Sequence, residues 1–204
     1  MVWYWLAAAL IGYVLGSLPT GYLAGKLYGI DIRQYGSGAT GGTNVLRTVG
    51  KGPAAVTAIV DLLKGTAAVL VAMYLLGGGW SVTLAGVAAA AGHSYPVWLG
   101  FRGGKSVATG AGTVLPVAWL ALVIGLAVFV VTVALTRYVS LGSILATLTV
   151  GVIVLASPSQ PLPHKALILV AVIMILWRHR SNMQRLLQGK ENKLGQKAQT
   201  RETS

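Results

Sequence analysis

Long apolar runs, separated by short stretches rich in glycine and polar side chains, dominate the hydropathy pattern of this chain. A run of about 20 uncharged residues is long enough to cross a bilayer as an α-helix. Glycine and proline residues mark the turns between the runs. The clearest predicted spans cover residues 3–25, 53–76, 80–100, 140–156 and 162–178.

Residues 106–136 need a separate argument, because 31 uncharged residues exceed one ordinary crossing and are too few for two. Seven Lys and Arg residues lie from Arg178 to Arg201, at and beyond the end of the last predicted span, and they predict a cytoplasmic C-terminus. Counting crossings from the N-terminus places Lys105 in the cytoplasm, and counting back from the C-terminus places Arg137 there as well. The run between these two residues must therefore cross the membrane an even number of times. We therefore divide it at Pro116, into a short segment at 105–115 and a full span at 117–136.

The predicted fold is an all-α integral membrane protein with seven transmembrane segments, one of them short, about half length. The N-terminus is expected outside and the C-terminus in the cytoplasm, which leaves Lys64 inside a span and Lys165 outside. Residues 1–189 form a single polytopic membrane domain in this interpretation. Residues 190–204 form a polar, basic cytoplasmic tail that we expect to be disordered.

The composition excludes several kinds of chemistry. The net charge is +12, but the cations lie in short loops between apolar spans, which argues against nucleic-acid binding. The absence of cysteine excludes disulfides, thiolate metal sites and cysteine nucleophiles. Asp31 and Asp61 are the only carboxylates before the tail, so neither a carboxylate-bound metal nor a cofactor is expected.

A glycine-rich loop at residues 35–47, YGSGATGGTNVLR, interrupts the apolar pattern most strongly. Glycine lets backbone N–H groups turn toward a ligand, and successive N–H groups form concave anion sites. A following arginine adds a forked cation suited to phosphate. The candidate site residues of this loop are Ser37, Gly38, Thr40, Gly41, Gly42, Thr43, Asn44 and Arg47. An ordinary surface loop is the alternative interpretation.

A second polar stretch covers residues 92–109 and reads GHSYPVWLGFRGGKSVAT. Gly103, Gly104 and Lys105 precede the short segment, where free N–H groups and the helix dipole favour an anion. His93 lies at the cytoplasmic end of the third span. It is either a supporting residue of the site or a satisfied interfacial histidine.

Asp61 and Lys64 lie three residues apart within the second span. Ionisable groups at membrane depth are costly and indicate function by default. At this spacing the side chains share a helix face and can pair. A supporting role at the site and a purely structural ion pair both remain open.

A third polar stretch at residues 178–185 contains His179 and Asn182, which share a face if the last helix continues into the cytoplasm. A basic anchor to anionic lipid would explain the arginines of this stretch, but not these two side chains, which carry no fixed charge. We predict that the apolar chain brings the three polar stretches together as one phosphate site on the cytoplasmic side.

Five motifs in order, YGSGATGGTNVLRTVGK, DLLKG, GHSYPVWLGFRGGKSVAT, RYVSLGSI and RHRSNMQRLLQGKE, resemble the bacterial acyl-phosphate:glycerol-3-phosphate acyltransferases over about residues 10–191. The resemblance implies seven membrane segments in the bacterial inner membrane and an active site facing the cytoplasm. It also implies transfer of a fatty acyl group from acyl phosphate to the sn-1 hydroxyl of glycerol 3-phosphate, giving lysophosphatidic acid and phosphate. The chain departs from the family pattern at Ala39, Gly42 and Ser106.

By the same resemblance, Ser37, His179 and Asn182 are expected to be catalytic, while Arg47 and Lys105 hold phosphate. The general base is either His179 or an oxygen of acyl phosphate itself. Expected partners are the two substrates and membrane lipid, and a soluble enzyme that forms acyl phosphate is a further candidate. A small organic-anion transporter and another membrane lipid-phosphate enzyme are the alternative functions.

Overall fold

The computed structural model describes residues 2–198 and 200, which form helices without a named β-strand. The α-helices are α1 (Val2–Gly16), α2 (Thr20–Leu27), α3 (Gly42–Thr48), α4 (Lys51–Leu75), α5 (Trp80–Ser94), α6 (Val107–Thr136), α7 (Val139–Ala156), α8 (Leu162–Arg178) and α9 (Arg180–Leu187). Short 3-10 turns at Ile32–Gln34 and Val97–Leu99 lie in the polar connections.

The long apolar helices agree with the predicted all-α membrane fold. Within the described chain, four helical stretches are long and apolar enough to cross a bilayer, and they are Val2–Leu27, Lys51–Leu75, Val107–Thr136 and Val139–Ala156. Helices α8 and α9 form a fifth candidate that is bent by 54° at their junction. The count of seven segments and the orientation of the termini stay predictions.

Helix α5 is a short helix surrounded by protein. It has 15 residues and ends at Ser94, because Tyr95 precedes a proline and such a residue is disfavoured in the helical region. Close packing on α1 depends on small residues, since a Cβ added at Gly16 would overlap the backbone of Ala89. Most of α5 is buried by this packing, so it forms an inner support for the polar end of the molecule.

The division predicted at Pro116 corresponds to a kink inside α6, where Ala118 has φ −156° and ψ 54°. A proline lacks the N–H of an ordinary helix residue and leaves the carbonyl four residues earlier without its donor. That carbonyl belongs to Gly112, and its oxygen lies 3.0 Å from the hydroxyl of Thr66 on α4. The same hydroxyl lies 3.1 Å from the carbonyl oxygen of Leu62, so its single hydrogen is shared between the two carbonyls and replaces the missing donor in part.

The C-terminal tail packs against the membrane domain, in contrast to the disorder predicted for residues 190–204. Leu194 donates its N–H to the carbonyl of Arg137 at 2.7 Å, and Ala198 donates its N–H to the carbonyl of Arg47 at 3.2 Å. These bonds occupy backbone groups that a disordered tail would leave to water. Residues 199 and 201–204 lie outside the described residues.

Candidate active site

One cavity of about 650 Å³ has a polar end, where the three polar stretches meet, and an apolar groove between α6, α7 and α8. Its volume is within the usual range for sites that bind small ligands. The predicted site residues that line it are Ser37, Gly41, Gly42, Thr43, Asn44, Arg47, Asp61, His93, Lys105, His179 and Asn182. The predicted residues outside this lining are Gly38, Thr40, Lys64, Gly103 and Gly104.

Asn44 fixes the glycine-rich loop from inside. Its Nδ2 donates to the carbonyls of Ile32 at 2.9 Å and Tyr35 at 3.2 Å. The loop can turn there because Gly36 and Gly38 have φ values of 53° and 69°, which other residues rarely adopt. Both amide hydrogens of Asn44 are thus engaged by the loop, so its side chain holds the loop in shape, and its part in phosphate binding stays a prediction.

The remainder of the loop differs in accessibility along its length. Ser37 is exposed at the cavity, whereas Thr40 is buried against α2, where its carbonyl oxygen faces Gly21. The backbone of Gly41 and Gly42 lines the cavity where α3 begins. Ser37 and this backbone are therefore the parts of the loop that a ligand can reach.

Arg47 lines the cavity with a guanidinium that is only partly hydrogen-bonded. Its Nη2 donates to the carbonyl of Asn192 at 3.0 Å, while its Nε is buried without a partner among the described residues. A buried donor left unpaired costs roughly 1–3 kcal/mol, so an anion in contact with it would be favoured. Burial lowers the pKa of Arg47 from its usual value, but a guanidinium remains charged at neutral pH.

Asn182 links a lysine to a glutamate at the polar end. Lys105 Nζ donates to Asn182 Oδ1 at 2.6 Å, and Asn182 Nδ2 donates to Glu191 Oε1 at 2.7 Å. Glu191 also accepts from Ser140 Oγ at 2.9 Å and from Arg185 Nε at 2.8 Å. These bonds determine which way the Asn182 amide faces and hold Lys105 in the cavity.

Burial determines the charge state of this group of side chains. It lowers the pKa of Lys105 to about 8, because desolvation outweighs the attraction of Glu191. Burial opposes ionisation of Glu191 as well, but its hydrogen bonds, first of all the one from Asn182, bring its pKa below the usual value. At neutral pH the cavity therefore holds a lysine cation and a glutamate anion joined by a neutral amide.

His179 lies at the bend between α8 and α9 and is 2% exposed. Its Nδ1 lies 2.8 Å from the carbonyl oxygen of Ile175, so the neutral ring carries its proton on Nδ1 and leaves Nε2 as an acceptor. Burial, reinforced by the charge of Lys105, lowers the pKa of His179 to about 4. The ring is consequently neutral at physiological pH and can accept a hydrogen bond from an alcohol.

Asp61 and Lys64 form a buried ion pair on α4. Lys64 Nζ lies 2.7 Å from Asp61 Oδ1 and donates to the carbonyl of Leu18 at 2.9 Å, at the break between α1 and α2. His93 Nδ1 lies 3.5 Å from the same carboxylate oxygen, and the ring of His93 packs against Gly104, where an added Cβ would overlap it. Through His93, Asp61 supports the loop that precedes α6.

The N–H groups of Gly103 and Gly104 are not free to bind an anion, contrary to the prediction. Gly103 donates to the carbonyl of Ser94 at 3.1 Å, and Gly104 donates to the carbonyl of His93 at 3.0 Å. The carbonyl of Gly104 accepts from Nε of Arg178 at 3.0 Å. The glycine pair is a tight turn that sets the direction of the following lysine, which itself reaches the cavity.

The apolar groove of the cavity is formed by side chains from three helices. These include Leu122 and Phe129 of α6, Val150 of α7, and Ile168 and Val172 of α8. Such a lining suits a hydrocarbon chain, because it offers few hydrogen-bonding groups and excludes water. An amphiphile with a phosphate at one end and an acyl chain at the other fits both parts of the cavity.

Glu191 and Ser140 line the cavity but are absent from the site predicted from sequence. Ser140 lies within the RYVSLGSI motif, but a single serine in an apolar run does not by itself indicate a ligand. Glu191 is the last residue of the RHRSNMQRLLQGKE motif and the second residue of the tail predicted to be disordered. It is, however, the first carboxylate after Asp61, and an isolated acid within a basic segment is a signal that could have identified it.

Comparisons with known proteins identify the family of this chain. The sequence profile of the family described as Glycerol-3-phosphate acyltransferase matches residues 6–189. The glycerol-3-phosphate acyltransferase of Synechococcus sp. (strain CC9902) is 50% identical over 191 residues, which cover 93% of this chain and 95% of the relative. The enzyme of the same description from Symbiobacterium thermophilum is 50% identical over 199 residues, or 96% of this chain and 98% of the relative.

Two solved structures share the fold. The crystal structure of PlsY (YgiH), an integral membrane glycerol 3-phosphate acyltransferase, in its glycerol 3-phosphate form has a TM-score of 0.89 at 37% identity and covers 94% of this chain and 96% of that chain. The lysophosphatidic acid form has a TM-score of 0.86 at 36% identity and covers 94% and 95%, respectively. With a family profile that matches nearly its whole length, this chain belongs to the glycerol-3-phosphate acyltransferase family of integral membrane enzymes.

Proposed function

We propose that this enzyme uses acyl phosphate as its donor and transfers the fatty acyl group to the sn-1 hydroxyl of glycerol 3-phosphate, releasing lysophosphatidic acid and phosphate. The observation that carries the proposal is that Arg47 and Lys105 share one cavity with an apolar groove. A donor whose leaving group is a bare phosphate needs cations and space for hydrocarbon. It does not need a site for a nucleotide or for a carrier protein.

Arg47 and Lys105 hold the two substrate phosphates in this proposal. The guanidinium of Arg47, which lines the cavity, and the remaining ammonium hydrogens of Lys105 are the donors. Charge-assisted hydrogen bonds of this kind are about twice as strong as neutral ones. Ser37 and the backbone of Gly41 and Gly42 complete the phosphate contacts. Bound phosphate also stabilises the protonated form of Lys105.

The reaction joins the alcohol to the acyl carbon. The sn-1 oxygen attacks the carbonyl carbon of acyl phosphate, the bond from that carbon to the phosphate oxygen breaks, and phosphate leaves. The alcohol proton passes to an oxygen of the phosphate, because a pKa of about 4 makes His179 a weak base at neutral pH. His179 Nε2 orients the alcohol instead, and Asn182 with Lys105 stabilises the negative charge that develops on the carbonyl oxygen.

The site faces the cytoplasm of a bacterial cell in this proposal, so that glycerol 3-phosphate enters directly from solution. The acyl chain lies in the apolar groove, and a soluble enzyme that forms acyl phosphate supplies the donor. The reaction needs no metal, since the two cations of the chain provide the charge that a metal would otherwise supply.

The donor is tested with purified protein in lipid nanodiscs, supplied with palmitoyl phosphate and glycerol 3-phosphate in the presence of a chelator. We expect lysophosphatidic acid and phosphate to form in equal amounts. Palmitoyl-coenzyme A, in place of palmitoyl phosphate, should give no product. Transfer from the thioester but not from the acyl phosphate would disprove the proposed donor, and loss of activity on chelation would disprove the metal-free reaction.

A further inference from the structure

The tail segment at residues 192–198, which we call the strap, contacts Arg47 at two places. The carbonyl of Asn192 accepts from the Arg47 guanidinium at 3.0 Å, and the N–H of Ala198 donates to the Arg47 carbonyl at 3.2 Å. The strap follows Glu191 and lies beyond residue 189, where the match to the family profile ends. The strap thus contacts both the side chain and the backbone of Arg47, a residue that lines the cavity.

Arg137 anchors the middle of the strap. Leu194 donates its N–H to the Arg137 carbonyl at 2.7 Å, and the Arg137 guanidinium donates to the Leu194 carbonyl at 2.8 Å. Gly195 allows this approach, since a Cβ there would lie 3.1 Å from Arg137 Nη2. The anchored Leu194 lines the cavity itself, so these bonds connect the α6–α7 turn to the wall of the site.

We propose that Arg137 and the strap form a clamp that positions the Arg47 guanidinium for the phosphate of glycerol 3-phosphate and closes the polar end of the cavity to water. This inference rests on the proposed function. Arg137 does not line the cavity, so it is a positioning residue that acts through Leu194 and Asn192. A long arginine side chain loses considerable rotamer freedom when it binds a ligand. The clamp removes part of that freedom before the substrate arrives.

The clamp has a kinetic signature that general stabilisation lacks. Acyl phosphate is held partly by its chain in the apolar groove, whereas glycerol 3-phosphate depends on the polar end. Loss of the clamp should therefore raise KM for glycerol 3-phosphate by about tenfold, the scale of one hydrogen bond to a charged group, with a smaller change in kcat. Water that enters the opened cavity should also release free fatty acid and phosphate from acyl phosphate.

The first test compares Arg137→Ala with Lys190→Ala, using the full chain in nanodiscs with palmitoyl phosphate and glycerol 3-phosphate. Arg137 has a φ of 63°, a left-handed backbone conformation that is unfavourable for arginine and alanine alike. The substitution therefore removes the guanidinium without adding backbone strain. Lys190→Ala removes the same charge from an exposed tail position. We expect Arg137→Ala alone to raise KM for glycerol 3-phosphate and to increase the ratio of fatty acid to lysophosphatidic acid. Equal behaviour of the two variants would overturn the clamp.

The second test asks whether Arg137 acts through the strap. A chain that ends at Lys193 keeps Glu191 and loses Leu194 and Ala198, so we expect it to reproduce the higher KM. Adding Arg137→Ala to the shortened chain should then have no further effect, because the two changes remove the same interaction. Additive effects would overturn the inference. Failure of the unmodified chain to acylate glycerol 3-phosphate from acyl phosphate would instead disprove the proposed function.

Discussion

Burial gives Lys105 and His179 complementary chemical states. Removal of water disfavours the charged form of both groups, and the charge of the lysine lowers the pKa of the histidine further. The outcome is a neutral imidazole next to an ammonium whose pKa, about 8, lies close to physiological pH. The site can therefore neutralise phosphate and still offer an unprotonated acceptor to an alcohol.

The pKa of Lys105 predicts how substrate binding depends on pH. The ammonium is present below a pKa of about 8 and is lost above it, so kcat/KM should fall at alkaline pH. The fall approaches about tenfold for each pH unit where the cation is essential. The profile of kcat/KM from neutral to alkaline pH reports this group in the free enzyme. In Lys105→Arg the cation persists, and an alkaline limb that stays at the same pH would contradict the assignment.

At the scale of elements, the kink in α6 depends on a partner from another helix. Thr66 donates its hydroxyl toward the Gly112 carbonyl that Pro116 leaves without a donor. Thr66→Val should lower the free energy of unfolding by about 1 kcal/mol, the usual scale for interhelical hydrogen bonds in membranes. Reversible unfolding in mixed micelles measures the change.

Thr149→Val is the matched control for Thr66→Val. The Thr149 hydroxyl donates to the carbonyl of Leu145 one turn earlier in α7, and that carbonyl keeps its ordinary helical N–H donor. The control should therefore change stability little. Equal losses in the two variants would show that the Gly112 carbonyl has no special need for Thr66.

Local sequence signals predicted local structure well. Pro116 marked the position of the kink in α6, and the glycines of the first loop marked its turn. The features that the sequence did not predict depend on distant partners. Nothing near Gly103 shows that its N–H is used by Ser94, and nothing near Glu191 shows that Ser140 and Asn182 would bind it.

At the scale of the molecule, the three polar stretches are far apart in sequence and meet in one cavity. The ion pair of Asp61 and Lys64 ties α4 to the break after α1, and His93 extends this support to the loop before α6. Close helix packing through small residues makes these connections possible. The prediction of a shared site depended on membrane orientation, because cations cluster on the cytoplasmic side.

That orientation can be measured directly because the chain contains no cysteine. Gln34, Ser159 and Lys190 are exposed positions in the first polar loop, the α7–α8 turn and the tail. Of these three positions, the charge distribution predicts that only Ser159, in the α7–α8 turn, faces outside. In single-cysteine variants of these positions, a membrane-impermeant maleimide should label Ser159→Cys in intact spheroplasts and all three variants after permeabilisation.

Each departure from this labelling pattern would have a distinct meaning. Labelling of Lys190→Cys in intact cells, without Ser159→Cys, would reverse the last span and place the cavity on the outer side, where glycerol 3-phosphate from the cytoplasm could not reach Arg47. Labelling of both Gln34→Cys and Ser159→Cys would instead require an odd number of crossings between the first loop and the tail. The side of the membrane from which the substrate enters thus follows from the same measurement that tests the crossing pattern.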